Sequence, residues 1–142
     1  MQINFPSTIT TQLVDRGAKD VSIGYGSAVN FAALTALRTY TVPAARLCLL
    51  SSVFGSQTIM VATTGGTEQR LSFEIQAVDA TPKPLYLDSV LRNGAYNNQS
   101  IVNISCYRLL KPGDVVKLWG SGSFTGGSVQ VTALASMLEF DS

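Results

Sequence analysis

The chain has 142 residues, a length that suits one domain with a hydrophobic core of its own. Hydrophobic residues make up 46% of the chain and charged residues only 13%, whereas soluble domains carry about 25% charged residues. A monomer with so few charges would leave much uncharged surface in water. The composition therefore favours burial of part of this surface against further copies or a larger assembly.

The charge pattern argues against a nucleic-acid partner, and the length of the apolar runs argues against a membrane partner. The ten basic and nine acidic residues give a net charge of +1 and form no run of like charge. Because nucleic-acid binding needs clustered Lys and Arg, we expect no nucleic-acid partner. The longest apolar runs, such as residues 47–50, are far shorter than the ~20 residues of a membrane helix. Residues 1–6 have neither a basic start nor an apolar stretch, so we expect no signal peptide and folding in a cytosol.

The first fifteen residues place isolated hydrophobic side chains among polar ones. We interpret residues 1–15 as an extended arm that docks on a neighbouring protein, and residues 16–142 as the folded domain. The candidate contact residues of the arm are Ile3, Phe5, Ile9 and Leu13.

From residue 16 onwards, hydrophobic side chains recur mostly with a period of two, in short runs between turn residues. This pattern predicts β-strands. The predicted strands cover residues 20–25, 28–33, 36–42, 46–54, 57–63, 69–78, 84–88, 100–108, 114–120 and 128–140. A short helix over residues 32–37 is the alternative for that segment. Turn signals spaced roughly 8 to 12 residues apart are typical of a β-sandwich or barrel.

Several predicted strands are apolar on both faces. In residues 128–140, one face carries Val129, Val131, Ala133 and Met137, and the other carries Leu134, Leu138 and Phe140. A two-layer sandwich covers only one face of each sheet. We therefore predict that a neighbouring copy covers the second face, with the arm or a long loop as the alternative cover.

The residue types needed for most catalysis are missing. The sequence contains no histidine, which excludes Ser-His and Cys-His nucleophile systems and the usual zinc ligand sets. We expect no catalytic residue, no metal site and no cofactor, although a pair of carboxylates remains as the one enzymatic alternative. Cys48 and Cys106 lie far apart in apolar runs, so we expect free buried thiols rather than a disulfide.

Two loops offer aromatic rings to a ligand. Tyr96 lies in the polar loop 93–98, and Phe124 lies in the Gly/Ser-rich loop 120–127. The alternative for Tyr96 is that its ring packs against its own loop. The Gly/Ser-rich loop has no lysine and is not followed by a helical pattern, so we interpret it as the hairpin connection of the last two strands rather than a phosphate loop.

Two segments resemble known families. Residues 109–119, LLKPGDVVKLW, with the following Gly/Ser loop and the apolar strand from Ser128 to Phe140, resemble the C-terminal part of TNF/C1q-like jelly rolls. Residues 40–47, YTVPAARL, are similar to the "TVPAG" strand–turn–strand opening of small bacteriophage virion proteins, with Ala45 in place of the usual glycine.

The resemblance implies an all-β, antiparallel jelly-roll sandwich of about eight to ten strands, with an extended N-terminal arm. It implies a homotrimer with the C-terminal strand at its centre, and the candidate interface residues are Leu118, Leu134, Leu138 and Phe140. It further implies a non-enzymatic capsid decoration protein that is made in the host cytoplasm and binds the major capsid protein or another virion protein on the outside of the shell. The alternative is a tail-fibre module that binds a receptor or a saccharide through Tyr96 and Phe124.

Overall fold

A computed structural model describes residues 16–78, 85–92 and 95–142. In these ranges the chain forms eight strands and no helix, which confirms the all-β class. The strands are β1 (Lys19–Ala28), β2 (Thr35–Thr41), β3 (Arg46–Val61), β4 (Glu68–Gln76), β5 (Leu85–Arg92), β6 (Gln99–Leu110), β7 (Val115–Gly122) and β8 (Ser128–Asp141). The arm residues Ile3, Phe5, Ile9 and Leu13 lie outside the described ranges.

The strands form two antiparallel sheets of four. The first sheet has the order β1-β8-β3-β6, and the second has the order β2-β7-β4-β5. Every connection along the chain crosses from one sheet to the other, except the one between β4 and β5. Eight antiparallel strands that alternate between two packed sheets in this way form a jelly-roll sandwich, so the predicted fold class is confirmed.

The core lies between the two sheets because the period of two turns one side of each strand inward. In β8, the buried side chains are Val129, Val131, Ala133, Ala135 and Met137. From the second sheet, Leu71, Phe73 and Leu118 face them and are fully buried. Burial of such large apolar side chains stabilises the fold by about 1.5–3 kcal/mol each.

The predicted strand boundaries differ from the structure in two places. The two predicted strands over residues 46–54 and 57–63 are one long strand, β3, which ends at Val61 and has register shifts at Ser51 and Met60. The predicted strand over residues 28–33 and the alternative helix over residues 32–37 are both wrong. Residues 29–34 connect β1 to β2 across the two sheets, and there the Phe31 backbone N–H donates to the buried Gln69 side chain at 2.9 Å.

The predicted hairpin between the last two strands is also wrong. β7 pairs with β2 and β4, whereas β8 pairs with β1 and β3, so residues 123–127 cross from one sheet to the other. Thr125 forms a short bridge with Gly65, and the ring of Phe124 is buried in the core. The loop is therefore anchored to the fold rather than open to a ligand.

Candidate assembly surface

The outward side of the first sheet, called the outer face below, exposes several large hydrophobic side chains. Ile101 is 56% exposed, Leu109 is 55% exposed and Leu134 is 39% exposed. The second sheet packs against the opposite side of the same sheet, where it covers the core residues of β8 and β3. The outer face is therefore the second apolar side of these strands that the sequence indicates.

The strand register aligns the side chains of the outer face in rows of four. The leucine row contains Asp20, Leu138, Leu49 and Leu109, and the serine row contains Ser22, Ser136, Ser52 and Ser105. The next two rows are Gly24, Leu134, Phe54, Asn103 and then Gly26, Thr132, Ser56, Ile101. Because directly paired side chains lie about 4.5–5.5 Å apart, the three leucines form a continuous apolar strip across β8, β3 and β6.

The candidate interface residues of the sequence divide between the outer face and the core. Leu134 and Leu138 lie on the outer face, paired with Phe54 and Leu49 of β3. Phe140 follows on the same side, paired with Leu47, and is nearly buried. Leu118 has no exposed surface, because β7 belongs to the second sheet and Leu118 points inward. Its side chain is therefore not available to a neighbouring copy.

The candidate ligand loops do not present two rings. Tyr96 lies exposed in the turn that precedes β6, and Asn97 beside it adopts a left-handed backbone conformation with φ of 69°. Phe124, in contrast, is buried. A ligand at this end of the domain would therefore meet Tyr96 without Phe124.

A buried cluster of charged groups ties the start of β1 to the end of β8. The Glu139 carboxylate is buried and accepts hydrogen bonds at Oε1 from Arg46 Nε at 2.9 Å and Lys19 Nζ at 3.0 Å. Its Oε2 accepts a hydrogen bond from the Tyr40 hydroxyl. Arg46 also pairs with Asp141 and donates from Nη2 to the Gly17 carbonyl at 2.8 Å. This charged cluster joins β1, β2, β3 and β8 at one corner of the sandwich.

The pKa values in the charged cluster fit a structural role. Burial alone would raise the pKa of Glu139, but the hydrogen bonds from Tyr40, Lys19 and Arg46 lower it overall. Burial, together with the hydrogen bond to Glu139, raises the pKa of Tyr40. Burial also raises the pKa of the Cys48 thiol to about 11. At neutral pH the cluster therefore holds a carboxylate anion beside a neutral phenol and a neutral thiol, which is not a nucleophile.

A second carboxylate, that of Glu74, is buried on the outward side of the second sheet. Its Oε2 accepts a hydrogen bond from Trp119 Nε1 at 2.5 Å, and Lys117 Nζ lies 5.6 Å from the centre of the Trp119 ring. Glu74 points outward from the second sheet, while Glu139 points inward from the first. The two buried carboxylates therefore do not face a common groove, as the hydrolase alternative would need.

The described part of the chain offers no metal site. In residues 16–78, 85–92 and 95–142, no group of three or more Cys, Asp or Glu side chains is placed to hold a metal ion, and no helix is long and apolar enough to cross a membrane. Cys48 and Cys106 are both free; Cys48 is buried and Cys106 is half-buried. Burial raises the pKa of Cys106 as well.

Strand order and pairing define the chain as a jelly-roll sandwich, and the outward face of its first sheet carries apolar side chains. A solved structure of infectious bursal disease virus, Gx strain, is similar in part: it aligns with 85% of this chain at 12% sequence identity and a TM-score of 0.48. This chain spans 32% of the viral chain. No protein-family model matches the chain, and no curated protein matches it in sequence.

Sequence reasoning missed Leu49, Leu109, Ile101 and the charged cluster. The period of two was the available signal for the outer face, because each of these hydrophobic residues alternates with an inward one. Glu139 continues the inward series of Ala135 and Met137 in β8. That position marks a buried carboxylate, which needs partners in the fold.

Proposed function

We propose that this chain is a non-enzymatic structural protein of a virus particle. In this proposal three copies associate through the outer face, and the trimer decorates the exterior of the capsid by binding the major capsid protein or another shell protein through residues 1–15. The leucine row, in which Leu109 is exposed and Leu49 and Leu138 are half-buried, carries the proposal, because an apolar sheet face of this kind is satisfied by another protein surface. The resemblance of residues 40–47 to small bacteriophage virion proteins supports the virion setting, and that of residues 109–140 to TNF/C1q-like jelly rolls supports the trimer.

The charge distribution of the two sheets supports association through the outer face. Among the residues of the four rows, Asp20 is the one charged residue, and it lies on the edge strand β1. The outward side of the second sheet carries the Glu68–Arg70 ion pair and Lys117 instead. Depletion of charge in the centre, with polar residues at the rim, is typical of subunit interfaces.

The size of the outer face also suits a subunit contact. Four strands span roughly 15–20 Å across a sheet, and four rows on one side extend over about 20–25 Å. The product of these dimensions is roughly 300–500 Å², a substantial part of the roughly 800 Å² that each partner buries in a standard interface. The trimer would gain avidity on a shell, because three arms bind together even when each contact is weak.

Sedimentation velocity tests the association. The purified protein is expected to sediment as a trimer at micromolar concentration, and Leu134→Asp is expected to sediment as a folded monomer because the new carboxylate would be buried without a partner. Thr39→Asp is the matched control, since it places the same charge on an exposed strand position of the second sheet. A wild-type monomer, or an unchanged trimer for Leu134→Asp, would contradict the proposed interface.

Deletion of residues 1–15 tests the attachment. The truncated chain is expected to keep its trimer and to lose binding to capsids in a co-sedimentation assay. Particles without the protein are expected to release their genome at a lower temperature and at a lower chelator concentration than decorated particles. Full binding of the truncated chain to capsids would contradict the proposed attachment through residues 1–15.

The exposed ring of Tyr96 favours one other function, the recognition of a receptor saccharide, because sugar-binding sites stack rings on exposed aromatics. A glycan array tests it: binding that is lost in Tyr96→Ala while the trimer persists would replace capsid decoration by receptor binding. An array without hits for the wild-type trimer would leave decoration as the function.

A further inference from the structure

Two glycines on the outer face meet no steric requirement from residues 16–78, 85–92 and 95–142. Gly24 and Gly26 lie on the edge strand β1 and point away from the core. Among the described residues, a Cβ at Gly26 would meet nothing within 4 Å, and one at Gly24 would make ordinary contacts of 3.6 Å. Neither residue has a positive φ, and the pairing of β1 with β8 contains no bulge.

Glycine inside a strand is unfavourable unless something requires it. It destabilises a strand relative to alanine, because it loses more conformational freedom on folding. Where no bulge or bend explains it, a strand glycine often marks a place where another backbone or a ligand approaches closely. The open space above Gly24 and Gly26, called the glycine shelf below, therefore indicates a contact from outside the chain.

The strand register identifies the residue at the opposite end of the row that contains Gly26. The row that begins at Gly26 on β1 ends at Ile101 on β6, which is the opposite edge of the first sheet. Ile101 protrudes into solvent at this level. One edge of the outer face thus has a gap and the other edge has a projecting side chain, at the same height along the strands.

Only some arrangements of copies bring these two edges together. A rotation axis along the strands keeps each row at its own height, so the β1 edge of one copy meets the β6 edge of the next in a head-to-tail contact. A twofold axis perpendicular to the face would reverse the rows and set the leucine row against the polar end of the sheet, where Gln130, Thr58 and Gln99 lie. Polarity therefore favours the first arrangement.

The serine row fits the same arrangement. A hydroxyl group both donates and accepts hydrogen bonds, so a serine row can pair with an identical row of a neighbouring copy without a partner of another type. Such pairing needs the two rows at the same height, which an axis along the strands provides.

We propose that the glycine shelf of each copy receives Ile101 of a neighbouring copy and closes a head-to-tail ring of three. This inference rests on the proposed trimer and specifies which edges meet in it. A second copy of this chain would bring Ile101 to the shelf at the same height, because Gly26 and Ile101 belong to one row.

A steric test uses the free space at Gly26. Gly26→Val is expected to give a folded chain at least as stable as the monomeric Leu134→Asp variant, and to lower the association constant at least tenfold, because the valine occupies the shelf. Ser27→Val is the matched control, since the neighbouring side chain points to the other side of β1. Association of Gly26→Val with wild-type affinity would overturn the proposal.

A disulfide cross-linking experiment tests the proposed contact independently of the Gly26→Val variant. In a Cys106→Ser background, Gly26→Cys and Ile101→Cys are combined in one chain. The two positions lie three strand spacings apart within a chain, about 14 Å, which is too far for a disulfide. Any disulfide between them therefore joins two copies, and a covalent ladder that ends at the trimer is expected on a non-reducing gel.

The outcomes separate this inference from the proposed function. Single-cysteine variants should remain monomeric on the same gel. A trimer in sedimentation without cross-links, or a ladder that ends at the dimer or extends beyond the trimer, would overturn the ring and leave the virion role standing. A wild-type monomer in sedimentation would overturn both.

Discussion

Arg46 and Lys19 bind the same oxygen of Glu139 but differ in exposure, and this difference gives a sharp prediction. The side chain of Arg46 is 17% exposed, and that of Lys19 is 61% exposed. Removing one partner of a buried ion pair destabilises a protein by about 3–5 kcal/mol, whereas an exposed pair contributes about 0–1 kcal/mol. Because Glu139 keeps Tyr40 and Lys19 when Arg46 is replaced, we expect Arg46→Met to lower the free energy of unfolding by about 2–4 kcal/mol.

Urea unfolding of the wild-type protein, Arg46→Met and Lys19→Met measures this effect. Lys19→Met should lower the free energy of unfolding by less than about 1 kcal/mol and serves as the matched control. Arg46→Met should also speed hydrogen exchange at residues 16–21 and tryptic cleavage after Lys19, because Arg46 holds the Gly17 carbonyl. Equal losses for the two variants, or a loss below about 1 kcal/mol for Arg46→Met, would refute the argument that burial makes this contact strong.

Three further predictions follow from groups that the fold buries. The pKa of Glu139 is lowered in the folded protein, so its carboxylate contributes stability that is present above its unfolded pKa, about 4.3. This stability is lost as the pH falls through the lower folded pKa. Glu139→Gln should remove this acid dependence in urea titrations from pH 5 to pH 2. Trp119→Phe leaves the buried Glu74 carboxylate without its indole donor, so thermal and urea unfolding should show a loss of about 1–3 kcal/mol. Cys48, buried and with a pKa of about 11, should react with iodoacetamide at pH 8 at least tenfold more slowly in the folded protein than in urea, as followed by mass spectrometry; equal rates would contradict its burial.

The sequence predicts the strands well because alternation is a local property. In β8, the side chains that the sequence places on one face are the ones that the core buries, and Leu134 and Leu138 lie on the other. Pairing is not local, and this explains the errors. The short loop between β7 and β8 suggests a hairpin, yet the two strands lie in different sheets. Leu118 lies on the inward side of β7 and is therefore in the core instead of on the outer face.

The same limit applies to the candidate site. Glu139 acquires Lys19, Tyr40 and Arg46 from three other strands, and nothing in the spacing of these residues indicates that they meet. The glycine shelf needs the register as well, because only the alignment of Gly26 with Thr132, Ser56 and Ile101 shows a gap at one edge and a projection at the other.

The charged cluster also determines where polypeptide can be added to this domain. The Asp141 backbone N–H donates to the Arg16 carbonyl at 2.7 Å, so residues 16 and 141 leave the sandwich side by side. A cargo fused after residue 142 would therefore emerge beside residue 16. A circular permutant could instead join this corner with a short linker and open new ends at the exposed turn around Tyr96, on a different edge from the fused junction.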